Sequence, residues 1–388
     1  MKTLNVAMIG GGFMGKAHSN AWKKVNTFFD APYKVNLKVI VGNHTPLEQF
    51  AEKWGYEEVS YDWREVVKRP DIDIVDIGVP TYMHKEIAVE AAQNGKHIVC
   101  EKPCGMNYKE CCEMAEAAEK AGVVHYLNHN YRRVPAVALA KKFIEEGRLG
   151  RIYHWRGAYL QDWIMDEDAP LTWHLKEDRA GAGVLYDLGS HAVDLARYLI
   201  GEPTAVMARF ETFIKQRPLP GAGAATFSKG EKNADAEMGE VTVDDAAFML
   251  IDFENGALGS IETTRFAGGR KNYNDFEIYG SKGSIKFNFE RMNELQFSDL
   301  TLPLEEQGYR TILVTENVHP YLSAWWPCGH IIGYEHTFVN AFNDFLCAIG
   351  GSKTVTPNLV DGAADIRVLE AAKLSNALGR RVDVKEIV

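Results

Sequence analysis

Two motifs that lie far apart in the chain carry residue types suited to a cofactor and a hydroxyl group. A glycine run follows the first apolar segment, with the sequence Gly10-Gly11-Gly12-Phe13-Met14-Gly15, and Glu101-Lys102-Pro103 follows a later apolar segment. The glycine run suits the pyrophosphate of a dinucleotide. Lys102 places an amine where a nicotinamide ring is expected. Together the two motifs predict hydride transfer.

The glycine run has a mechanical basis. Residues 4–9 are predicted to form a buried strand, and the glycines lead into a helix predicted near residues 13–28. Gly10 permits a tight turn, Gly12 lets the backbone approach the pyrophosphate, and Gly15 lets helix and strand pack closely. The N–H groups of the first helical turn would then face the phosphates. Without the strand and the helix, the pattern would be an ordinary glycine-rich turn. The predicted pyrophosphate contacts are Gly10, Gly12, Phe13, Met14 and Gly15.

A second candidate set combines Lys102 with Asp187 and His191. If a helix starts near residue 186, Asp187 and His191 stand at positions i and i+4 on one face. The carboxylate would orient the imidazole and raise its basicity, and the imidazole would take the hydroxyl proton as hydride leaves. Lys102, beside a positively charged nicotinamide ring, is expected to have a lowered pKa and to share the proton. The alternatives are a surface pair or cap, and a solvated lysine.

Two further groups of polar residues receive no catalytic role. Asp194 follows His191 on the same predicted helix face and is interpreted as structural support. Cys328, His330 and His336 are metal-ligating types, but their spacing fits no common zinc pattern. We therefore predict no metal, and the hydride-transfer scheme needs none.

The composition is typical of a soluble enzyme with two domains. The 388 residues exceed what one hydrophobic core usually supports, and the net charge of -10 argues against a nucleic-acid partner. No apolar run approaches the ~20 residues of a membrane span, and no signal peptide is evident, so we predict no membrane partner and a cytoplasmic location. The six cysteines form no C-x-x-C pair, which predicts reduced thiols.

The first part of the chain alternates between strand and helix. The pattern predicts strands near 4–9, 37–41, 72–77, 97–100 and 123–127, and helices near 13–28, 45–54, 84–94 and 108–121. Such alternation implies right-handed crossovers and a parallel sheet. The predicted fold class is therefore α/β here, with a Rossmann domain (a doubly wound parallel sheet) over residues 1–128.

Downstream, longer strands are joined by tight turns. Asn255-Gly256 and Ser281-Lys282-Gly283 each predict a hairpin, so residues 129–388 are predicted to form an α+β domain with a large open, mainly antiparallel sheet. Helices near 135–146, 186–199, 335–349 and 361–378 would cover one face. The other face would be available for a ligand or a second subunit, and we predict a homo-oligomer. Residues 217–240 read as a long surface loop.

The choice of nicotinamide cofactor depends on the end of the second strand. NAD sites usually carry Asp or Glu there, and NADP sites offer Arg, but this chain has Gly42-Asn43. Asn43 could bond the ribose hydroxyls, and the turn has no cation to neutralise a 2′-phosphate. We therefore predict NAD rather than NADP. The alternative interpretation of Asn43 is a simple turn residue.

At this point the chain resembles the Gfo/Idh/MocA oxidoreductases over nearly its whole length. The resemblance rests on residues 8–18, 95–103 and 183–191, of which the middle motif is highly specific. It implies that Lys102, Asp187 and His191 are the catalytic set. The chain departs from the family at Asn43, where many NAD-using members have an acidic residue. We also expect Pro80, His84, Glu101 and Lys102 to lie beside the cofactor.

Within the family the chain looks most similar to levoglucosan dehydrogenases and glucoside 3-dehydrogenases, through residues 130–142 and 159–163. The resemblance implies a sugar substrate, for which donors, acceptors and an aromatic wall are needed. The candidates are Tyr131, Arg132, Arg156, Gln161, Asp162 and Trp163, each of which has a domain-interface role as its alternative. We predict oxidation of a secondary hydroxyl, at C3 of a pyranose. The alternatives are an inositol or polyol dehydrogenase, an NAD-recycling glycosidase, and a non-catalytic NAD-binding sensor.

Overall fold

A computed structural model describes residues 1–42, 46–220, 230, 236–352 and 354–388. Its packing divides the chain into two units. Unit 1 contains Met1–Val134 and Thr315–Ala364, and unit 2 contains Pro135–Val314 and Asp365–Val388. The predicted domains meet at a single boundary between residues 128 and 129. That boundary assigns residues 315–364 to the second domain, whereas in the structure they belong to unit 1. The local pattern of that segment does not reveal what it packs against.

The N-terminal part alternates strands and helices as predicted. The strands are β1 (Thr3–Ile9), β2 (Lys34–Val41), β3 (Glu58–Ser60), β4 (Ile74–Ile77), β5 (His97–Cys100) and β6 (His125–Leu127). The helices are α1 (Phe13–Phe28), α2 (Leu47–Trp54), α3 (Trp63–Lys68), α4 (His84–Gln93) and α5 (Tyr108–Ala121). The short elements β3 and α3 were not predicted, because three strand residues and six helical residues carry too little periodicity.

The remaining elements follow in chain order. The helices are α6 (Pro135–Glu145), α7 (Glu177–Ala180), α8 (Val184–Asp187), α9 (Gly189–Leu199), α10 (Tyr334–Ile349) and α11 (Leu359–Leu378). The strands are β7 (Ile152–Leu160), β8 (Pro203–Glu211), β9 (Gln216–Pro218), β10 (Met238–Glu240), β11 (Ala246–Phe253), β12 (Leu258–Thr264), β13 (Tyr273–Gly280), β14 (Gly283–Asn288), β15 (Glu294–Asp299), β16 (Arg310–Leu313) and β17 (Val382–Asp383). Short 3₁₀ turns span Thr81–Met83, Asn130–Arg133, Trp173–Leu175, Phe289–Arg291, Leu304–Glu306, Leu322–Ala324 and Val384–Glu386.

Unit 1 is built on a six-stranded parallel sheet in the order β3-β2-β1-β4-β5-β6. This order confirms the predicted Rossmann fold. Helix α10 packs against α1 through aromatic contacts such as that of Trp22 with Phe342, whose ring centroids are 4.1 Å apart. The prediction that residues 335–349 cover the C-terminal sheet is therefore wrong. An apolar face in the sequence indicates that a helix is buried on that side, but it does not indicate which element the helix packs against.

Unit 2 contains a nine-stranded sheet in the order β16-β15-β14-β13-β7-β12-β11-β8-β17. All its strand pairs are antiparallel except β7 with β12, which are parallel. The predicted large and mainly antiparallel sheet is confirmed, as are both hairpins. Helices α6, α8 and α9 pack on one face of this sheet. The opposite face carries exposed apolar side chains, including those of Phe248, Leu250 and Leu258.

Two predictions for unit 2 need correction. The helix predicted over residues 186–199 is divided, because α8 ends at Asp187 and α9 starts at Gly189. The predicted loop over residues 217–240 begins and ends in paired strands, since β9 and β10 form an antiparallel pair. Arg217 is fully buried and donates to the carbonyl oxygens of Ile164 and Asp166. The middle of this segment, apart from residue 230, lies outside the described residues.

Candidate functional site

The glycine run between β1 and α1 has the backbone geometry that a dinucleotide needs. Gly10 has a φ of +114°, and a Cβ there would come within 2.5 Å of the Gly78 carbonyl oxygen. A Cβ on Gly15 would overlap the Gly10 carbonyl oxygen. By contrast, a Cβ on Gly12 would meet nothing within 4 Å. The first two glycines therefore serve the fold, whereas Gly12 borders open space where the backbone can approach a phosphate.

The first turn of α1 also suits an anion. Gly12 is the N-cap and provides no side-chain cap, and no acidic residue lies in that turn. Its N–H groups and the positive end of the helix dipole therefore favour phosphate oxygens. Phe13, which is 59% exposed, stacks on Tyr334 with ring centroids 6.4 Å apart. The residues present thus fit a dinucleotide pyrophosphate.

Two alanine substitutions should separate the roles of these glycines. We expect Gly12→Ala to leave the free energy of unfolding within about 0.5 kcal/mol, because its Cβ meets no protein atom. The same change should lower NADH affinity ~10-fold or more, since the methyl group occupies the phosphate approach. Gly15→Ala should destabilise the fold itself. Urea denaturation and NADH fluorescence titration of both variants check this, and wild-type NADH affinity in Gly12→Ala would contradict it.

Other predicted cofactor neighbours occupy the loops after β4 and β5. Pro80 precedes the turn at Thr81–Met83 and is half-buried. His84 is buried, with one ring nitrogen 2.9 Å from the Val79 carbonyl oxygen and the other 3.0 Å from that of Pro103. Burial lowers the pKa of His84, and the contacts of its two ring nitrogens place the ring between these two loops. Asn43 lies outside the described residues.

A buried histidine connects two acidic side chains in the same unit. His18, on α1, lies 2.8 Å through Nδ1 from Asp76 Oδ1 and 2.8 Å through Nε2 from Glu101 Oε1. Trp22 donates to the other Asp76 oxygen at 2.7 Å, and Asn128 donates to Glu101 at 2.5 Å. His18 and Asp76 are fully buried and Glu101 is 4% exposed. The motif containing His18 was noticed in the sequence, but no role was assigned to it.

The electrostatics of this triad follow from its geometry. Each ring nitrogen of His18 faces a carboxylate oxygen, which favours a proton on both nitrogens and hence an imidazolium. The Asn128 amide nitrogen, which is 3.0 Å from Nε2, donates to Glu101. Burial opposes the charge, but Asp76 and Glu101 outweigh burial and raise the pKa of His18 to about 10. Burial likewise opposes ionisation of Glu101, yet the bond from His18 holds the pKa of that carboxyl below its usual value. The triad therefore contains one cation and two anions.

Lys102 follows the triad directly in the chain. Its backbone N–H donates to Glu101 Oε2 at 3.1 Å, and its side chain is half-buried. It lies between β5 and α5, at the carboxyl edge of the parallel sheet, where ligands bind in this fold class. The glycine loop follows β1 at the same edge. Unit 1 thus brings Glu101 and Lys102 to the edge predicted for the nicotinamide.

In unit 2 the segment that carries Asp187 is anchored by two buried polar residues. Asp244 accepts hydrogen bonds from the backbone N–H groups of Gly183 at 2.8 Å and Leu185 at 2.7 Å, at the start of α8. Arg265, which is 1% exposed, donates to Asp187 Oδ2 at 2.7 Å. A guanidinium at this distance favours the ionised form of Asp187. Neither Asp244 nor Arg265 was a candidate from the sequence.

His191 lies in a connected polar and aromatic cluster of unit 2. Its ring is 5.8 Å from that of Tyr159, whose hydroxyl donates to Asn272 Oδ1 at 2.6 Å. Gln161 donates to the same oxygen at 2.9 Å and accepts from Trp163 Nε1 at 2.9 Å. Arg265 closes the cluster, because its guanidinium lies 5.3 Å from the centre of the Trp163 ring. We call these residues with Asp187 the His191 cluster.

The strand register explains why these residues meet. Strand β12 runs parallel to β7 with Thr264 opposite Leu160, so Arg265 and Gln161 follow at the same edge. Strand β13 pairs with β7 on the other side with Tyr273 opposite Leu160, which brings Asn272 to that edge too. Arg265 and Asn272 could be identified as site residues from the sequence only if this strand pairing were known. Each would then be recognised by its position next to the end of a strand that flanks β7.

The remaining sugar candidates are more dispersed. Asp162 accepts from Lys271 Nζ at 2.7 Å and from Gly269 N at 3.1 Å, and the bond from Lys271 lowers the pKa of its carboxyl. Arg156 lies on the exposed face of the sheet, opposite to the buried Tyr159, and its guanidinium is 3.8 Å from Glu277. The structure therefore does not bring Arg156 into the His191 cluster.

Two sugar candidates belong to unit 1. Tyr131 and Arg132 lie in the turn at Asn130–Arg133 and are each 4% exposed. Arg132 is 3.9 Å from Asp361 Oδ1, a long ion pair at the start of α11. These two side chains are thus part of a packed turn, and their role toward a substrate stays a prediction. Asp194, interpreted as structural, is 1% exposed on α9.

The residues considered as metal ligands have separate protein partners. Cys328 donates to Glu316 at 2.8 Å, a ring nitrogen of His330 is 2.9 Å from the Pro327 carbonyl oxygen, and His336 accepts from the Gly333 amide. All six cysteines lie in the described part of the chain and are free thiols. Among the helices that the structure describes, none combines the length and the hydropathy of a transmembrane span.

Comparisons with known proteins agree with the two-part organisation. Residues 4–129 match the family described as "Oxidoreductase family, NAD-binding Rossmann fold", and residues 137–286 match the "GFO/IDH/MocA C-terminal domain". The chain is 44% identical to levoglucosan dehydrogenase of Pseudarthrobacter phenanthrenivorans over the full length of both. It is 25% identical to myo-inositol 2-dehydrogenase of Thermotoga maritima over 99% of this chain and 100% of that one.

The chain is also similar over nearly its whole length to a solved structure. The structure titled "Levoglucosan dehydrogenase, complex with NADH and levoglucosan" superposes with a TM-score of 0.92 at 43% identity, covering 99% of this chain and 100% of that chain. The match to the NAD-binding family confirms the predicted cofactor and the predicted enzyme class. The chain belongs to the GFO/IDH/MocA family and is an NAD-dependent oxidoreductase.

Proposed function

We propose that the chain is a sugar dehydrogenase that oxidises a secondary ring hydroxyl, at C3 of a glucoside or an anhydrosugar, to a ketone. The His191 cluster carries this proposal, because it combines an imidazole, a carboxylate, amide groups and an indole ring. Carbohydrate sites need this mixture of donors, acceptors and aromatic surface. The 44% identity to levoglucosan dehydrogenase supports the same substrate class.

The proposed roles follow from the chemistry of alcohol oxidation. When bound, NAD⁺ supplies the acceptor for the hydride that leaves the carbon. His191 takes the hydroxyl proton, and Asp187 orients its ring. Arg265 keeps Asp187 ionised, and Lys102 contacts the reacting oxygen and stabilises its developing negative charge. The sugar thus loses a hydride and a proton, which converts the alcohol to a ketone.

The remaining binding roles are also proposals. Gly10, Gly12 and Gly15 shape the loop that holds the pyrophosphate, with Phe13 and Met14 in the first helical turn. Asn43 would bond the ribose, and Pro80, His84 and Glu101 would lie near the nicotinamide. Tyr131, Arg132, Gln161, Asp162 and Trp163 would contact the sugar.

Product identification tests the proposed function. Purified protein is incubated with NAD⁺ and levoglucosan, aryl glucosides, free glucose and inositols, with NADH absorbance followed in each. We expect NADH to accumulate with a glucoside or anhydrosugar and the NMR spectrum of the product to contain a new carbonyl at C3. A carbonyl at another carbon would refute the C3 assignment but leave sugar oxidation intact.

The same panel separates the alternatives. Turnover of inositols alone would identify a polyol dehydrogenase. Release of the aglycone without net NADH would identify a glycosidase that recycles its NAD. NADH binding without turnover of any polyol would favour a sensor, against which the presence of Lys102, Asp187 and His191 already argues.

We also propose that the exposed face of the unit 2 sheet joins two copies of the chain. Leu250, 61% exposed, lies opposite Met207 in the register, and Phe248 and Leu258 are exposed on the same face. Such an apolar patch on a sheet face is typical of an interface. Leu250→Lys should therefore shift the protein toward monomer in sedimentation velocity. Leu304→Lys, at an equally apolar exposed site outside this patch, is the matched control.

Identical sedimentation of the wild type and Leu250→Lys would contradict this interface. A shift of the Leu304→Lys control would instead indicate a general effect of added charge. Activity with NAD⁺ is measured in parallel, because loss of the interface alone leaves the residues of the His191 cluster unchanged.

A further inference from the structure

The buried His18 has no part in the proposed chemistry, yet its position is costly to maintain. An imidazolium in the core has lost its hydration, and only well-placed anions compensate for that loss. Here Asp76 on β4 and Glu101 after β5 each lie 2.8 Å from one of its ring nitrogens. A group held in this way fixes the position of both acids.

The other neighbours of His18 leave these two acids as the charged groups that face it. Helix α10 contributes the rings of Phe338 and Phe342, with centroids 5.6 and 5.2 Å from that of His18. Among titratable groups nearby, the charge of Glu101 acts on His84 and Tyr334, and that of Asp76 acts on Tyr56. Among the groups that favour the ionised form of Glu101, His18 has the largest effect, ahead of Asn128 and Lys102.

Loss of the imidazolium would change the state of Glu101. Two carboxylates buried around one site cannot both stay ionised without a cation between them. Asp76 would retain the hydrogen bond from Trp22. For Glu101, burial would become the largest influence on the carboxyl and would raise its pKa. Glu101 would then take up a proton at neutral pH.

The ionisation of Glu101 affects Lys102 because the two residues are joined by a peptide bond and by a hydrogen bond. The two residues are adjacent in the chain, and the Lys102 amide donates to Glu101 Oε2 at 3.1 Å. Lys102 in turn is among the charges that act on Glu101. At an effective dielectric of about 20, a unit charge about 12 Å away shifts the pKa of an amine by about one unit, and a nearer charge shifts it by more.

We propose that His18 is a positioning residue of the active site, which holds Glu101 as an anion in a fixed place and thereby sets the backbone position and charge environment of Lys102. Its effect on catalysis rests on the role of Lys102 in the proposed function. Its effect on the Lys102 amine does not, and can be measured without any substrate.

The test measures the titration of the Lys102 amine in the full-length protein. Competitive labelling with trace acetic anhydride across a pH series, read by mass spectrometry, gives the apparent pKa of that amine. In His18→Gln we expect the midpoint to fall by about one pH unit or more, because the anion beside it is lost. Glu101→Gln should lower it to the same extent, and the double variant should fall no further.

A matched control addresses general effects of the substitution. His97 lies at the start of β5 in the same sheet, and its Nδ1 accepts from the Val124 amide rather than facing an acid. His97→Gln should leave the Lys102 midpoint unchanged. A folded His18→Gln protein with a wild-type midpoint would overturn the proposal.

Two further readouts keep the proposal testable if His18→Gln does not fold. In the wild type, NMR of ¹⁵N-labelled histidine should detect an imidazolium at pH 8, and a neutral His18 ring there would overturn the proposal. With an active sugar, Asn128→Ala, which removes another donor to Glu101, should lower kcat severalfold with little change in KM. If the wild type oxidises no sugar, the proposed function fails while the labelling result still decides the role of His18.

Discussion

Replacing Lys102 or His191 by alanine should lower turnover by ~10²-fold or more, with NADH affinity within about threefold of wild type. His191 is the proposed acceptor of the hydroxyl proton, so its replacement removes the general base. Lys102 stabilises the charge that develops on the same oxygen, which is worth several kcal/mol in a site shielded from water. Steady-state kinetics and NADH fluorescence titration measure the two quantities separately.

Matched substitutions control for side-chain loss alone. His154 lies on the exposed face of the same sheet as the His191 cluster and stacks on Tyr279 with ring centroids 4.9 Å apart. Lys120 is exposed near the end of α5. His154→Ala and Lys120→Ala should retain full turnover. If Lys102→Ala and His191→Ala also retain it, the catalytic assignment is wrong.

The fold was predictable to the extent that its signals are local. The alternation of strand and helix patterns predicted the parallel sheet. Local signals also end the helices, since Asn107 caps α5 by accepting from the Glu110 amide at 2.9 Å. Helix α10 has an equally clear pattern, but its packing on α1 is set by the fit of distant side chains. The hydrophobic periodicity of a helix does not specify which distant helix it packs against.

The site was predictable where one short segment carries the chemistry. Asp187 and His191 lie four residues apart, and both belong to the cluster that the structure contains. Arg265 and Asn272 join it because β12 and β13 flank β7, a long-range pairing that sequence patterns do not specify. Arg156 was grouped with Gln161 by proximity in sequence. Alternation along β7 directs its side chain to the opposite face.

The stability of the protein should fall as the pH rises from about 7 to 10, by an amount on the order of 3–5 kcal/mol that the double variant His18→Gln/Glu101→Gln lacks. The folded-state pKa of His18 is raised from 6.5 to about 10 by Asp76 and Glu101, against the opposing effect of burial. The protonated ring therefore stabilises the folded state fully below pH 6.5. That contribution is lost as the pH rises through the folded-state value.

The measurement compares urea denaturation of the wild type and the double variant His18→Gln/Glu101→Gln at matched pH values. The double variant is used because, in His18→Gln alone, Glu101 would take up a proton and add its own pH dependence. Lysines, tyrosines and cysteines also titrate in this range, but they are common to both proteins and cancel in the difference. The difference in free energy of unfolding should therefore be largest near neutral pH and shrink toward pH 10. A constant difference would mean that the ring carries no proton in the folded state, because only a neutral His18 contributes equally at every pH. Its two hydrogen bonds to carboxylates could then not both exist.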